Sequence, residues 1–305
     1  MKKHFGARTS SKKNGMPIFL SQTIHPSWKS LQKLYEDKNS RWDGWLFRGQ
    51  LIRKGNSVSQ PPLSTSLERG LTRFRIRLSQ AKTWEYRLLR DFKRRYYLAT
   101  KQSPDQSNDM EWLALLRHYG GPARLMDWTY SFWVAVHFAV DKAMAGDICE
   151  VWALETPWWR EQAEEKYPLL KKAVTEYGSN SIKEYEQVFR MKQSPGLWFL
   201  NPFRLNDRLA AQQGSFVLPL DVTKPLVDNV ATFTHGHKGN KHLERYRFVA
   251  TQAFLQSCLR ELHRMNINRM TLYPGIDGLA QHYENALGLP HLFKGIDGDL
   301  YSSAQ

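Results

Sequence analysis

An α+β domain is the fold class that this sequence predicts, and three observations predict it. Strand-like alternation and helix-like periodicity both occur along the chain, without the regular exchange of strand and helix that builds a parallel sheet. Hydrophobic residues make up 41% and charged residues 24% of the 305, the balance of an ordinary globular chain, which excludes large-scale disorder. Eleven Trp, 13 Tyr and 15 Phe stock one large core. No internal repeat or low-complexity block interrupts the chain. The expected layout is a flexible basic arm at 1–26, one domain at 27–290 with a charged helical insertion near 157–191, and a tail at 291–305.

The arm carries Lys2, Lys3, Arg8, Lys12 and Lys13 with no acid, and it lacks the apolar stretch of a secretory signal. Pro26 and Ser27 then open a helical run through Trp28, Leu31 and Leu34. Residues 42–50, WDGWLFRGQ, read as a strand in which Gly49 either ends the element or admits a close backbone approach. PPLSTSLERG is a turn followed by a short element. The clearest helix comes next, because Trp84, Leu88, Phe92 and Tyr96 recur every four residues. Its flanks hold Arg87, Arg90, Lys93, Arg94 and Arg95, interrupted only by Glu85 and Asp91. A solvated helix face ordinarily mixes signs, so this one is expected to touch phosphates or an acidic partner.

Asn108 and Asp109 suit the N-cap of a helix over 111–119, which Gly120, Gly121 and Pro122 stop. A strongly apolar helix follows, with Phe132, Val136, Ala139 and Val140 on one face. Residues 147–155, DICEVWALE, alternate like a strand, and 158–191 are charged and helical in pattern. The segment NPFRLNDRLAAQQGSFVLPL reads as an amphipathic helical turn, a Gly break and a strand. Residues 233–242 form a polar basic loop, a late helix spans 252–265, and TLYPGIDGLAQHYENAL is a turn with a short helix after it.

Composition narrows the function. Lys and Arg number 44 against 29 Asp and Glu, a net charge of +15, which fits a polyanion partner. Cys149 and Cys258 are too few for a disulfide framework or a structural zinc site, and they fit core thiols in a reducing cytoplasm. No run of 18 apolar residues exists, so no membrane span is expected. The chain has no GxxxxGK[ST] loop, no GxGxxG after a strand, no HExxH and no CxxC. His235 and His237 form an HxH pair with no third ligand nearby in sequence, and no metal is expected.

Three polar clusters sit inside apolar sequence. In the first, Phe47-Arg48-Gly49-Gln50, an Arg on an inner strand is costly unless it is paired or used on an anion. The second runs from His118 and Tyr119 through the glycines to Arg124 and Asp127. Arg124 either pairs with Asp127 or joins Arg48 on a pyrophosphate. The third, Arg208 to Phe216, places Gln212 and Gln213 before a Gly and a strand, where they either bind a ligand or cap the sheet edge.

Together these clusters resemble the FRG-domain family, whose name-giving motif is held here by Phe47, Arg48 and Gly49. The resemblance continues through TSLERG and is strongest at EWLALLRHYGGPARLMDWT, where Arg117 stands in place of the family's usual Gln and Ala123 in place of its usual Thr. AQQGSF and LYPGIDGLA also fit, so the resemblance runs over about 42–284. Phe47-Arg48-Gly49 is further similar to the strand-one Arg-Gly of Arg-Ser-Glu ADP-ribosyltransferases, with Ser64-Thr65-Ser66 like their Ser-Thr-Ser strand. That similarity implies an ADP-ribosyltransferase-like mixed sheet core with peripheral helices, and NAD as the substrate. It implies Arg48 and Arg124 on the pyrophosphate and Gly49 at the nicotinamide amide. His118 and Tyr119 would sit at the sugar or ring, with Phe47, Gln50, Ser66 and Gln213 lining the NAD site. Two departures are plain: the Arg-to-Ser spacing is short, and no Gln-x-Glu or Glu-x-Glu follows on a late strand. A catalytic acid would come from Asp127 or Glu284, with Glu68 as a further candidate.

The leading expectation is an NAD-consuming transferase, a toxin or anti-phage effector that modifies nucleic acid, RNA before DNA. Its rivals are a non-catalytic nucleic-acid-binding module, and a protein whose exposed Trp158 and Trp159 dock a neutralising antitoxin. A nuclease using His118 with Asp127 is the fourth reading.

Overall fold

A computed structural model describes residues 19–53, 63–100, 105, 107–178, 181–191, 194–201, 207–234 and 241–289. The element with the longest alternating pattern, β4 (Ile148–Glu155), organises the sheet. Its odd residues Cys149, Val151 and Ala153 enter one core, and Trp152 and Leu154 enter the other, so both faces of the strand are covered. β2 (Trp45–Ile52) pairs with β4 antiparallel along its whole length. The other strands are β1 (Leu20–Thr23), β3 (Met126–Thr129), β5 (Leu197–Leu200), β6 (Gly214–Pro219) and β7 (Leu243–Val249). They form one seven-stranded sheet in the order β1-β7-β4-β2-β3-β6-β5. Only β1 and β7 run parallel. The fold is α+β, as the irregular order of elements predicts.

Helices cover both faces. On one side lie α1 (Trp28–Lys38), α5 (Phe132–Val140) and α11 (Gln252–Arg264), over a core that holds Leu31, Phe132, Val136 and Phe254. On the other lie α3 (Ala81–Ala99), α4 (Asp109–His118), α6 (Thr156–Lys166), α7 (Pro168–Tyr177), α8 (Ile182–Arg190) and α10 (Leu226–Thr234), around Trp112, Trp152, Trp159 and Trp198. Four shorter or peripheral helices complete the described set: α2 (Ser66–Arg73), α9 (Asp207–Ala211), α12 (Arg269–Leu272) and α13 (Ile276–Ala286). Side-chain caps fix several starts: Ser27 accepts from the Ser30 N–H at 3.1 Å, Asn108 from Glu111 at 3.2 Å and Ser131 from Val134 at 3.3 Å. Among the described residues no helix is long and apolar enough to cross a membrane.

Several expectations need correction. The strand foreseen at 42–50 begins at Trp45 and runs through Gly49 to Ile52. Leu20–Thr23 forms β1 inside the stretch expected to be a flexible arm. Residues 1–18 and the tail at 291–305 lie outside the described residues, as do His235 and His237. Phe233 and Thr234 end a helix instead of opening the loop. Ser64-Thr65-Ser66 is not a strand: the Thr65 hydroxyl accepts from Glu68 N at 3.1 Å and caps α2. Trp159 is wholly buried and unavailable to a partner, and Trp158 stacks on His242 with ring centroids 4.0 Å apart. Cys149 and Cys258 are buried free thiols. Burial pushes the Cys149 thiol up to about 12 and that of Cys258 up as well.

Candidate functional site: an arginine-lined split in the sheet

The middle of the sheet comes apart. β2 and β3 share a single pair, Phe47 opposite Thr129. Continued antiparallel register would place Gly49 opposite Asp127, but the strands diverge and the Arg48 side chain fills the wedge. Its Nη1 donates to the Asp127 carbonyl at 2.5 Å, taking over a contact that a strand would otherwise make. The Arg48 Nε is buried with no hydrogen-bond partner among the described residues. A buried donor left unpaired is costly and marks a group held for something else. Burial pulls the Arg48 guanidinium down to about 10, with Asp127 opposing the shift and Arg117 and Arg69 adding to it.

Gly49 permits this arrangement from behind. A Cβ there would stand 1.9 Å from the Ala135 carbonyl oxygen and 2.7 Å from the Ala139 nitrogen. The glycine therefore seats α5 directly on β2. It also lines the cleft, together with Arg48, Asp127, Thr129 and Phe138.

Further cations converge on the same place. The end of α4 delivers Arg117 and His118, because Gly120 in the left-handed region (φ 83°) turns the chain away at once. Arg117 holds Asp127 through Nε at 3.0 Å and also through Nη2. Arg69 on α2 donates to the Ser64 carbonyl at 2.6 Å, and burial and then Arg117 lower its pKa. Arg208 on α9 lines both lobes of the cleft and lies over the Tyr273 ring at 4.6 Å. His118 is held below the ordinary imidazole range by burial and by Arg208, against the pull of Asp127. Three guanidiniums, those of Arg48, Arg117 and Arg208, thus line the cleft with one carboxylate, and Arg69 lies within electrostatic reach of it. The larger lobe has a volume of about 200 Å³ and the smaller about 90 Å³.

The structure brings together part of the predicted set. Phe47, Arg48, Gly49, His118 and Asp127 line the cleft. Arg124 does not: it is 1% exposed and bonded through Nε at 2.8 Å to Glu85, itself 1% exposed. Its partner is neither a ligand phosphate nor Asp127, and with its charge neutralised in the core it serves packing between α3 and the strand approach. Ser66 is also structural, since its hydroxyl bonds the 121–123 turn, accepting from Ala123 N at 3.0 Å and donating to Ala123 O at 3.2 Å. Gln213 points outward from a left-handed residue (φ 47°), whereas its neighbour Gln212 is buried, lines both lobes and donates to Leu272 O at 2.9 Å.

Tyr119 is 66% exposed, edge-on to His118 at 4.9 Å and outside the lining. Gln50 is half-buried on β2 and does not line it either. Glu284 bonds Arg269 at 2.7 Å on α13 and is not a cleft residue. Glu68 accepts from Leu226 N at 3.3 Å, away from the cleft, and burial raises its pKa. Asp127 is therefore the one carboxylate among the cleft-lining residues. Arg69 and Tyr273 were not singled out by sequence reasoning. TSLERG and LYPGIDGLA contain them, and those motifs were the available signal.

Outside the cleft, α3 turns Arg87, Arg90, Arg94 and Arg95 to solvent. Arg95 pairs with Asp91 at 2.8 Å and Lys93 with Asp109 at 2.6 Å, so the exposed cationic face rests chiefly on Arg87, Arg90 and Arg94.

Comparison with known proteins matches the FRG domain to residues 43–147. That segment holds Arg48, Arg69, Arg117, His118 and Asp127, while Arg208, Gln212 and Tyr273 lie beyond it. No curated protein and no solved structure matches the chain.

Proposed function

We propose that this chain, which carries an FRG domain over residues 43–147, is an NAD-consuming ADP-ribosyltransferase-like enzyme whose substrate binds in the split between β2 and β3. The observation that carries the reading is Arg48, a half-buried guanidinium whose buried Nε has no partner among the described residues, wedged between the two strands beside Arg117 and Arg208 of the cleft and within electrostatic reach of Arg69. Arginine matches phosphate oxygens with paired donors and keeps its charge when buried. An excess of such charge in a recessed cleft favours a polyphosphate ester over a neutral ligand. Ligand sites that enclose a drug-sized molecule occupy roughly 300–1,000 Å³. A lobe of about 200 Å³ therefore takes one end of a dinucleotide, and the other end lies over the surface.

In this reading the bond from ribosyl C1′ to the nicotinamide nitrogen breaks, and its electron pair leaves with nicotinamide. Positive charge develops on the ribosyl C1′ and ring oxygen, and Asp127 is the carboxylate near enough to stabilise it. Arg117 orients that carboxylate. An acceptor oxygen or nitrogen then bonds to C1′ and gives up its proton. His118, neutral at pH 7 because burial and Arg208 lower its pKa, is placed to receive it. The exposed arginines of α3 favour a nucleic acid as the acceptor, RNA before DNA, docked by its phosphates.

The test is nicotinamide release from NAD by the purified chain, with and without RNA, beside Arg48→Ala. Release that the substitution abolishes supports the reading. No release, with salt-sensitive RNA binding retained, replaces it with a non-catalytic binding module.

A further inference from the structure

The motif LYPGIDGLA has a physical purpose that centres on one side chain. Tyr273 follows α12, and its ring enters the cleft beside Phe138, with centroids 6.3 Å apart and planes at 77°. Gly275, at φ 115°, turns the chain back, so that α13 returns against Tyr273. At Gly278 a Cβ would stand 1.8 Å from the Tyr273 carbonyl oxygen and 2.7 Å from its Cβ. Only glycine lets α13 press directly on the tyrosine.

Arg269 pins this unit to the rest of the fold. It is 1% exposed, and it bonds Asp141 through Nε at 2.6 Å, and through Nη1 Glu284 at 2.7 Å and the Gln281 carbonyl at 2.9 Å. From the sheet side, Gln212 holds the Leu272 carbonyl at 2.9 Å. These contacts fix the backbone on both sides of Tyr273, yet the ring itself packs on a guanidinium, Arg208, and on one ring edge. A rigidly mounted aromatic ring in a cleft that Arg48, Arg117 and Arg208 also line is the arrangement that reads a planar heteroaromatic ring attached to a phosphate.

We propose that Tyr273 is the ring-binding residue of the cleft: it stacks on the heteroaromatic base of a nucleotide whose phosphate is held by Arg48 and Arg208. The proposal rests on the reading of the cleft as a nucleotide site and adds to it the residue that selects a nucleotide over a bare sugar phosphate. That residue lies outside the segment that matches the FRG domain. Arg269 is the corresponding positioning residue.

Three ligands separate the contributions: nicotinamide mononucleotide, adenosine monophosphate, and ribose 5-phosphate, which has the sugar and phosphate without a ring. Each is titrated by calorimetry into the full chain and into Tyr273→Ala, Tyr273→Phe and Arg48→Ala. Base stacking on an aromatic side chain is worth roughly 1–3 kcal/mol, or about 5- to 150-fold in affinity. The wild-type chain is expected to bind at least one of the two nucleotides about tenfold or more tightly than ribose 5-phosphate. Which nucleotide it prefers identifies the end of the dinucleotide that enters. Tyr273→Ala is expected to erase that preference while ribose 5-phosphate affinity stays, Tyr273→Phe to retain the preference, and Arg48→Ala to weaken all three ligands.

Equal wild-type affinity for all three ligands would overturn the role of Tyr273 and leave the phosphate site standing. So would a preference that survives Tyr273→Ala. An equal loss for all three in Tyr273→Ala, with an unchanged melting temperature, would also overturn it. Failure of the wild-type chain to bind any of the three would remove both readings together.

Discussion

Arg48 and Arg124 occupy similar sequence settings and opposite physical ones. Each stands in an apolar stretch beside or near a glycine; Arg124 is buried, and Arg48 is half-buried with its Nε out of reach of water. Arg124 meets Glu85 in the core, two groups 1% exposed whose charges cancel. Among the described residues Arg48 bonds only a backbone carbonyl, keeps an unpartnered Nε and lies near other arginines. The first arrangement resists removal of either partner because the survivor would be a lone buried charge. The second carries surplus positive charge next to a cavity. An arginine in apolar sequence therefore reports structure or binding according to whether a carboxylate reaches it, and that partner comes from a distant element.

The largest expected effect breaks the structural member of the pair. Glu85→Ala strands Arg124 and is expected to cost about 3–5 kcal/mol of stability, measured by urea denaturation. A double Glu85→Leu/Arg124→Met variant is expected to recover much of the loss, because replacing both partners by apolar groups removes the stranded charge. Arg48→Ala sharpens the contrast: stability is expected to change far less, while nucleotide affinity falls. Next in size is Gly49→Ala, whose Cβ meets the α5 backbone. Overpacking of this kind costs about 1–3 kcal/mol, seen as a lower melting temperature.

A smaller effect is expected on the outer face of α3. Replacing Arg87, Arg90 and Arg94 by Ala should leave stability within about 0.5 kcal/mol. It should also flatten the dependence of RNA affinity on salt, because fewer counterions are released. The smallest is a pH effect. Burial lowers the His118 pKa, so the neutral base persists below the ordinary imidazole range near pH 6.5. ADP-ribose transfer to the acceptor is expected to fall on the acid side only below that value, and His118→Gln should remove this limb of the profile.

Much of the scaffold is legible in the sequence. The period of Trp84, Leu88, Phe92 and Tyr96 gives α3, and the caps Ser27 and Asn108 give the starts of α1 and α4. The alternation of 147–155 gives β4. The short strands β1, β3 and β5 are not legible, since four residues carry too little pattern to separate them from their neighbours. Arg48, His118 and Asp127 stand out as polar groups in apolar surroundings, and the structure does bring them together. The choice of partner is what the sequence hides. Nothing local tells that Arg124 reaches back to Glu85 or that Arg117, at the usual position of a glutamine, takes Asp127. The far wall depends on α9 and α12 meeting, where Gln212, just after α9, donates to the Leu272 carbonyl. The motifs containing Gln212 and Tyr273 were visible, but their role appears only once the chain is folded.

The central claim is that the Arg48 wedge is an anion site for a nucleotide, and titration of NAD into the wild-type chain and Arg48→Ala tests it most directly. The account predicts saturable, salt-sensitive binding to the wild-type chain, lost in a variant whose melting temperature is close to that of the wild type. Equal NAD affinity in the two proteins, or no binding to either, would contradict it.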